Sequence, residues 1–214
     1  MRPWCVLVLA FAATVGFGVT PSSVSAQSTA VTSRLVVFTG GNFAGNVNVN
    51  YAGGLGTGGV EGDLGTAPIG GVRYEKAFLG YLAFGGEVVS TFWRGEGGNR
   101  RNALLDFAMT PRFRYRFVLS ERFMVEPYIV VPFGFSLAIW NSSVDLGGIG
   151  LDRVNPGLVV GALAGTTFLT RSHVGAMVEF GWIHHVAYDN DSDGGRWTML
   201  MNQIALRAGV VYAF

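Results

Sequence analysis

The chain has little charge, a single cysteine and no long apolar run beyond its N-terminal segment. Only 14% of its 214 residues are charged, while 50% are hydrophobic, and Cys5 is the one cysteine. One cysteine cannot form an internal disulfide framework, and no Cys/His spacing of the zinc type is present. A helix that crosses a bilayer needs about 20 apolar residues, and no such run follows the N-terminal segment. The sequence therefore argues against a helical membrane protein and a disulfide-stapled domain.

Residues 1–26 have the three-part layout of a secretory signal. Arg2 supplies a positive charge, residues 6–19 are apolar, and Val24, Ser25 and Ala26 form a small-residue cleavage site. The apolar segment is too short to serve comfortably as a membrane anchor. We predict Sec-type export, cleavage after Ala26 and one mature domain at residues 27–214. That domain has as many acidic as basic residues, so its net charge does not attract nucleic acid.

Apolar and polar residues alternate along most of the mature chain. In LDFAMTPRFRYRF, residues 105–117, three arginines share one face and three aromatic residues share the other. Longer connections rich in Gly, Asn and Asp, at 44–66, 94–101, 141–155 and 189–196, alternate with tight turns. Together these features predict a transmembrane antiparallel up-and-down β-barrel. Its eight predicted strands are 33–43, 67–76, 79–93, 102–117, 123–140, 156–169, 174–188 and 197–214.

The segment RAGVVYAF, residues 207–214, ends on an aromatic residue. With this ending, the signal, the alternation and the strand number, the chain resembles the small outer-membrane β-barrels of Gram-negative bacteria, of the OmpA/OmpX type. The resemblance implies that Val210, Tyr212 and Phe214 form a C-terminal signal that the barrel-assembly machinery reads. It also implies location in the bacterial outer membrane and contact with outer-membrane lipid and lipopolysaccharide. We expect no cofactor, no metal and no nucleic-acid partner.

On each predicted strand, the face opposite the apolar face carries the residues that we predict to fill the lumen. An eight-stranded barrel is just wide enough for side chains to fill, so matched charges are expected to pair and to plug it. A narrow polar conduit or gate is the alternative interpretation. The predicted lumen residues are Arg73, Glu75, Glu87, Asp106, Arg112, Arg114, Arg116, Glu126, Glu179, Gln203 and Arg207.

Aromatic residues stand at both ends of the predicted strands, which is typical of interfacial girdles. The outer girdle is predicted to contain Trp93, Trp140, Tyr188 and Trp197. Phe78, Phe117, Phe123 and Phe214 fall at the inner ends.

Function is a choice among three hypotheses. The first is a non-enzymatic surface protein with a plugged lumen, which contributes to envelope integrity or binds a ligand through four extracellular loops. The second is a narrow pore or transporter for small or hydrophobic molecules. The third rests on GWIHHVAYDN, residues 181–190, which resembles a strand of the lipid A deacylase barrels. His184 fits the catalytic histidine of that family, but Val186 stands where a serine nucleophile is required. His184 is then an interfacial residue and His185 a lumen residue.

Two further segments suggest ligand sites without completing them. Residues 189–194, DNDSDG, resemble the start of a calcium loop, but Leu200 replaces the glutamate required at its end. A solvated hairpin loop is the preferred interpretation, with weak divalent-ion binding left open. Residues 53–59, GGLGTGG, resemble a phosphate loop but precede no helix, so we predict a flexible extracellular loop.

Overall fold

A computed structural model describes residues 33–53, 56–94, 101–140, 154–190 and 195–214. These residues form eleven β-strand segments in one antiparallel sheet. The predicted signal at residues 1–26 lies outside them. The segments are β1 (Ser33–Gly53), β2 (Gly56–Leu79), β3 (Leu82–Arg94), β4 (Arg101–Met109), β5 (Arg112–Arg114), β6 (Phe117–Val118), β7 (Phe123–Val130), β8 (Phe133–Ile139), β9 (Val154–Thr170), β10 (Val174–Asn190) and β11 (Arg196–Ala213).

The sheet closes into a ring of eight barrel strands, as predicted. Segments β4, β5 and β6 are successive parts of one strand, and β7 and β8 are parts of the next. Pro111 and Pro132 lie at the interruptions because proline has no N–H for the ladder. The ring closes where β1 pairs with β11 and β2 pairs with β3. Closure leaves no continuous open edge, which is the condition for a sheet in lipid.

The alternation places apolar side chains outside and polar side chains inside. Every second residue of β9 is buried between Asn155 and Leu163, and the intervening residues are exposed. Large apolar side chains on the outer surface, such as Val37, Phe107 and Phe135, are exposed by 55%, 45% and 70%. Burial of arginine and glutamate with exposure of phenylalanine is the reverse of a soluble sheet, and it fits a lipid-facing barrel.

The hairpin formed by β1 and β2 differs from its prediction. Residues 44–66 are predicted as a loop, but β1 continues to Gly53 and β2 begins at Gly56. The sequence does not predict these strand extensions, because Gly and Asn, which are frequent there, are generally depleted in sheets. The extension is held by pairing to β11 as far as Ala52. Of the predicted loop 53–59, Gly53 and residues 56–59 therefore belong to strands, and residues 54 and 55 lie outside the described residues.

Two local features alter the expected register. The first inner turn lies at Gly80 and Tyr81, and β2 extends to Leu79, whereas the prediction ends that strand at Lys76. A bulge between Phe43 and Asn46 reverses which residues of β1 face inward. No helix in the described part of the chain has the length and apolar character needed to cross a membrane.

Candidate functional site

The lumen contains most of the buried charge of the described residues. Each strand sends alternate side chains inward, so residues distant in sequence meet around the barrel axis. The structure buries ten of the eleven predicted lumen residues, and Arg116 is one-third exposed at the inner end. His185, also predicted as a lumen residue, is buried as well, and the structure adds Arg34 to the buried charged set.

The central charge cluster consists of Arg73, Glu87, Glu179 and Arg207. Arg73 binds Glu179 with both terminal nitrogens, and its Nε donates to Glu87 Oε2 at 2.8 Å. Arg207 Nη1 approaches Glu87 Oε1 at 3.2 Å and Glu179 Oε2 at 3.8 Å. Tyr128 adds a hydroxyl that donates to Glu179 Oε1 at 2.8 Å. Two positive and two negative charges therefore balance within this cluster.

Phe38 lies beneath the two arginines of the central charge cluster. The guanidinium carbons of Arg73 and Arg207 stand 5.6 and 4.9 Å from the centre of its ring. A ring face attracts cations, so Phe38 adds a neutral contact that orients both side chains.

The inner charge cluster surrounds one carboxylate, Glu126. Arg34 Nη1 and Nη2 donate to its two oxygens at 2.5 and 2.9 Å, and Arg112 Nη2 donates to Oε1 at 3.2 Å. Arg114 Nη1 and Arg116 Nε both approach Oε2 at 3.4 Å. Arg112 also binds Glu75 at 2.6 Å. Four arginines and two glutamates leave this cluster with an excess of positive charge.

Contacts between and across the clusters fill the lumen from wall to wall. Arg73 Nη1 lies 3.5 Å from Glu75 Oε1, which joins the central cluster to the inner one. Arg34 on β1 and Glu126 on β7 stand on opposite walls, since the ring order β1-β11-β10-β9-β7 separates them by half the barrel. Multidentate pairing is what makes such buried charges tolerable.

A buried His–Asp pair lies outside these clusters. His185 Nε2 is 3.0 Å from Asp106 Oδ2, and both side chains are almost fully buried. The small residues Ser136 and Gly157 are in register with Asp106 on the two strands between β4 and β10, which leaves room for the imidazole to reach β4.

A network of uncharged polar groups adjoins β1. Asn42 Nδ2 donates to Gln203 Oε1 at 2.5 Å and approaches Thr91 Oγ1 at 3.5 Å. Among the described residues, no group of three or more His, Cys, Asp or Glu is placed to hold a metal ion.

The outer part of the lumen is apolar, which contradicts the predicted outer girdle. Trp93, Trp140 and Trp197 are only 7%, 8% and 5% exposed, and they pack inside with Met199 and Met201. We call these five residues the outer aromatic cluster. Trp93 and Trp140 meet edge to face at 5.5 Å, and Trp140 Nε1 donates to Asn155 Oδ1 at 2.6 Å.

Parity along each strand is the physical reason for this correction. Trp93 lies six residues after Glu87, and Trp197 lies ten residues before Arg207. An even spacing along a strand puts both side chains on the same face, so each tryptophan points inward with the charged residue. Tyr188 alone of the four points outward, with 43% exposure. The inner-end residues Phe78, Phe117, Phe123 and Phe214 are all exposed.

The C-terminal residues predicted as an assembly signal point outward. Val210, Tyr212 and Phe214 are 58%, 52% and 59% exposed, and the rings of Tyr212 and Phe214 stack at 5.8 Å. Phe214 also exchanges backbone hydrogen bonds with Ser33 in both directions, at 2.8 and 2.9 Å. Recognition by the assembly machinery stays a prediction.

His184 does not belong to a completed triad in the described part of the chain. Its Nδ1 lies 2.8 Å from Asn202 Oδ1, and its ring stacks on Trp182 at 5.6 Å. Val186 occupies the same strand two residues later and offers no hydroxyl. The calcium-like segment 189–194 lies mostly outside the described residues, since residues 191–194 are not described.

Arg34 is the charged lumen residue that the sequence prediction omits. The signal was present, because Arg34 shares parity with Val36 and Phe38 and opposes the outward Leu35 and Val37. Its position at the start of the first strand, before any other charge, concealed the pattern.

No protein-family model matches the sequence, and no curated protein matches it. Solved structures do. OprG of Pseudomonas aeruginosa, an outer-membrane protein, is similar over 85% of this chain and 95% of its own, at 10% identity and a TM-score of 0.52. Neisserial surface protein A is similar over 84% of this chain and 97% of its own, at 16% identity and a TM-score of 0.46. The outer-membrane enzyme PagL is similar over 75% of this chain and 98% of its own, at 17% identity and a TM-score of 0.37. The chain has the fold of the small bacterial outer-membrane β-barrels.

Proposed function

We propose that this protein is a non-enzymatic outer-membrane barrel whose lumen is closed by paired charges and whose activity lies on its extracellular hairpins. That activity is either support of the envelope or binding of a ligand at the cell surface, with lipopolysaccharide as its membrane neighbour. The observation that carries the proposal is the wall-to-wall pairing of Arg34 with Glu126 and of Arg73 with Glu179, all with 2% exposure or less.

Paired charges close a lumen more firmly than a lining of like charge. Arg73 is held by Glu75, Glu87 and Glu179, so its displacement would break three buried ion pairs at once and leave Glu87 and Glu179 to share Arg207. Breaking a buried pair by removing one partner costs about 3–5 kcal/mol. Spontaneous opening is therefore rare.

Single-channel conductance in a planar bilayer tests this proposal. The refolded chain should show no steady conductance, and Arg73→Ala should open the lumen or admit intermittent current. Arg114→Ala is the matched control, because Glu126 keeps three other arginines within 3.4 Å or less when Arg114 is absent. Steady conductance of the unaltered chain would overturn the plugged-lumen proposal.

The outer aromatic cluster favours a second candidate, a narrow pathway for small hydrophobic molecules. Trp, Met and Leu side chains line the outer part of the lumen and form an apolar layer above the charges. Uptake of an apolar dye into vesicles containing the barrel separates the two functions. Uptake that Trp93→Ala accelerates would favour the pathway, and equal dye entry with and without protein would favour the closed scaffold.

A further inference from the structure

A groove on the lipid-facing wall of the barrel crosses β2, β3 and β4. It has a volume of about 460 Å³ and opens on the outer surface of the sheet. Its walls are two rows of residues that pair across the three strands, Val72–Val88–Phe107 and Tyr74–Gly86–Met109. The five side chains are between 45% and 48% exposed, and Gly86 leaves a gap between Tyr74 and Met109.

The backbone does not require glycine at position 86. A Cβ added there would meet only Ala108 O within 4 Å, at 3.7 Å, which is an ordinary contact. A Cβ at the neighbouring Gly85 would instead stand 2.0 Å from Tyr74 O. Gly86 therefore leaves space on the outer surface without relieving any backbone clash, and in a membrane that space is available to an acyl chain.

The groove lies in the inner half of the membrane. Gly86 is four residues from Leu82, where β3 begins after the inner turn, which corresponds to about 13 Å along the strand. The hydrocarbon core is about 30 Å thick, and the strands of such barrels are tilted by about 35–45°. An acyl chain in the groove therefore belongs to a lipid of the inner leaflet, whose headgroup lies toward the inner turn.

Hydrogen-bond donors stand at the inner end of the groove. Tyr74 Oη lies 3.0 Å from Ser33 Oγ, and Ser33 pairs in register with Lys76, so the three side chains are neighbours on the outward face. Whichever hydroxyl donates in the Tyr74–Ser33 bond, the other keeps its hydrogen for a ligand. The ammonium group of Lys76 supplies three more donors.

The charge at this end of the groove is positive. Lys76 is the only lysine of the sequence, and it is exposed two residues from Tyr74. It has no acidic partner in the described part of the chain, where the nearby Glu75 points inward and pairs with Arg73 and Arg112. A cation beside two hydroxyls, at the end of an apolar groove, matches a lipid that carries a phosphate.

We propose that this site binds one glycerophospholipid of the inner leaflet. Its phosphate lies against Lys76 and the hydroxyl pair of Tyr74 and Ser33, and one acyl chain runs outward over Gly86, between Tyr74 and Met109. The site is on the outer wall of the barrel, so it goes beyond the proposed function and does not depend on closure of the lumen.

Acylation of Lys76 by an amine-reactive ester tests this inference, because peptide mass spectra then follow the only lysine. Phosphatidylglycerol added to the full folded chain in neutral detergent should slow the reaction saturably, by about tenfold at ten times its Kd, since only the unbound fraction reacts. Diacylglycerol with the same chains lacks the phosphate, and inorganic phosphate lacks the chains. Each of these, at the same concentration, should leave the rate unchanged.

Two glycine variants separate the groove from general contact with lipid. Gly86→Leu fills the gap and should raise the phosphatidylglycerol concentration for half protection about tenfold, the loss expected when two acyl methylenes leave the wall. Gly70→Leu is the matched control, because its Cβ would meet only Phe38 O, at 3.8 Å, and Gly70 pairs with Ser90, four residues beyond Gly86. It should protect Lys76 as the unaltered chain does. A heat-shifted gel band establishes that each variant is folded.

Equal slowing by phosphatidylglycerol and diacylglycerol would overturn the inference, and so would an unchanged half-protection concentration for Gly86→Leu. Slowing by inorganic phosphate alone would replace the lipid site with an ion site. The lipid comparison needs no variant, so it decides the matter even if a substitution prevents folding. Conductance reports on the lumen and acylation reports on the outer wall, so failure of the proposed function and failure of this inference are distinguishable.

Discussion

The inner part of the lumen is closed by ion pairs, and the outer part is closed by apolar packing. The inner part contains arginine and glutamate in two joined clusters, whereas the outer part contains tryptophan, methionine and leucine. Charge pairing is directional and fails when one partner is lost, because the other charge stays buried. Apolar packing is non-directional and loses stability in proportion to the volume removed. The same small lumen therefore has two closures that should respond differently to mutation and to salt.

The largest effect is expected from Arg73→Ala in the central charge cluster. This change leaves Glu87 and Glu179 with Arg207 as their remaining arginine, so we expect a loss of about 3–5 kcal/mol in the free energy of unfolding. Urea unfolding in lipid vesicles measures it. The double variant Arg73→Ala/Glu179→Gln should recover part of the loss, and no recovery would contradict a charge-based closure.

Truncation of Trp93 tests the outer aromatic cluster. Trp93→Ala removes a buried ring that packs edge to face on Trp140, and should cost about 3 kcal/mol in the same unfolding assay. The loss should not change with added salt. Trp93→Phe should retain most of the stability, and Tyr188→Ala, on the outer face, should cost less. A larger cost for Tyr188→Ala would contradict the inward placement of tryptophan.

The His–Asp pair should have an intermediate effect. Asp106→Leu removes the acceptor of His185 and leaves a buried imidazole without that partner, for an expected cost of about 1–3 kcal/mol. Asp106→Asn keeps an oxygen at the same place and is the matched control. Equal unfolding free energies for the two variants would show that this hydrogen bond does not contribute.

Arg114→Ala should have the smallest effect and sharpens the comparison within the charged part. Glu126 retains Arg34, Arg112 and Arg116, and removal of Arg114 relieves repulsion among four neighbouring guanidinium groups. We expect a change of about 1 kcal/mol or less. Arg34→Ala removes the two shortest contacts to Glu126 and should cost more. The reverse order would show that Arg114 is the main partner of that carboxylate.

Period-two alternation was sufficient to predict the eight strands, the ring and most lumen residues. Counting parity from Glu87 to Trp93 would have placed the tryptophans inside, so that error arose from assigning aromatic residues to an interface by type alone. The bulge between Phe43 and Asn46 could not be predicted in this way, because no residue there indicates that the inward-facing positions change from even to odd. The long outer hairpin was also hidden, since Gly and Asn form strands there only through pairing with β11.

Pairing of β1 with β11 has a consequence for folding kinetics. Arg34 aligns with Ala213 and Ala52 with Arg196, so this ladder joins segments separated by most of the described chain. Contacts of such high sequence separation form late, because a long loop must close before they contribute. An incomplete chain would present two unpaired edges that invite aggregation. A chaperone that shields either edge until the final strand arrives would raise the yield of folded protein more than one that merely slows collapse.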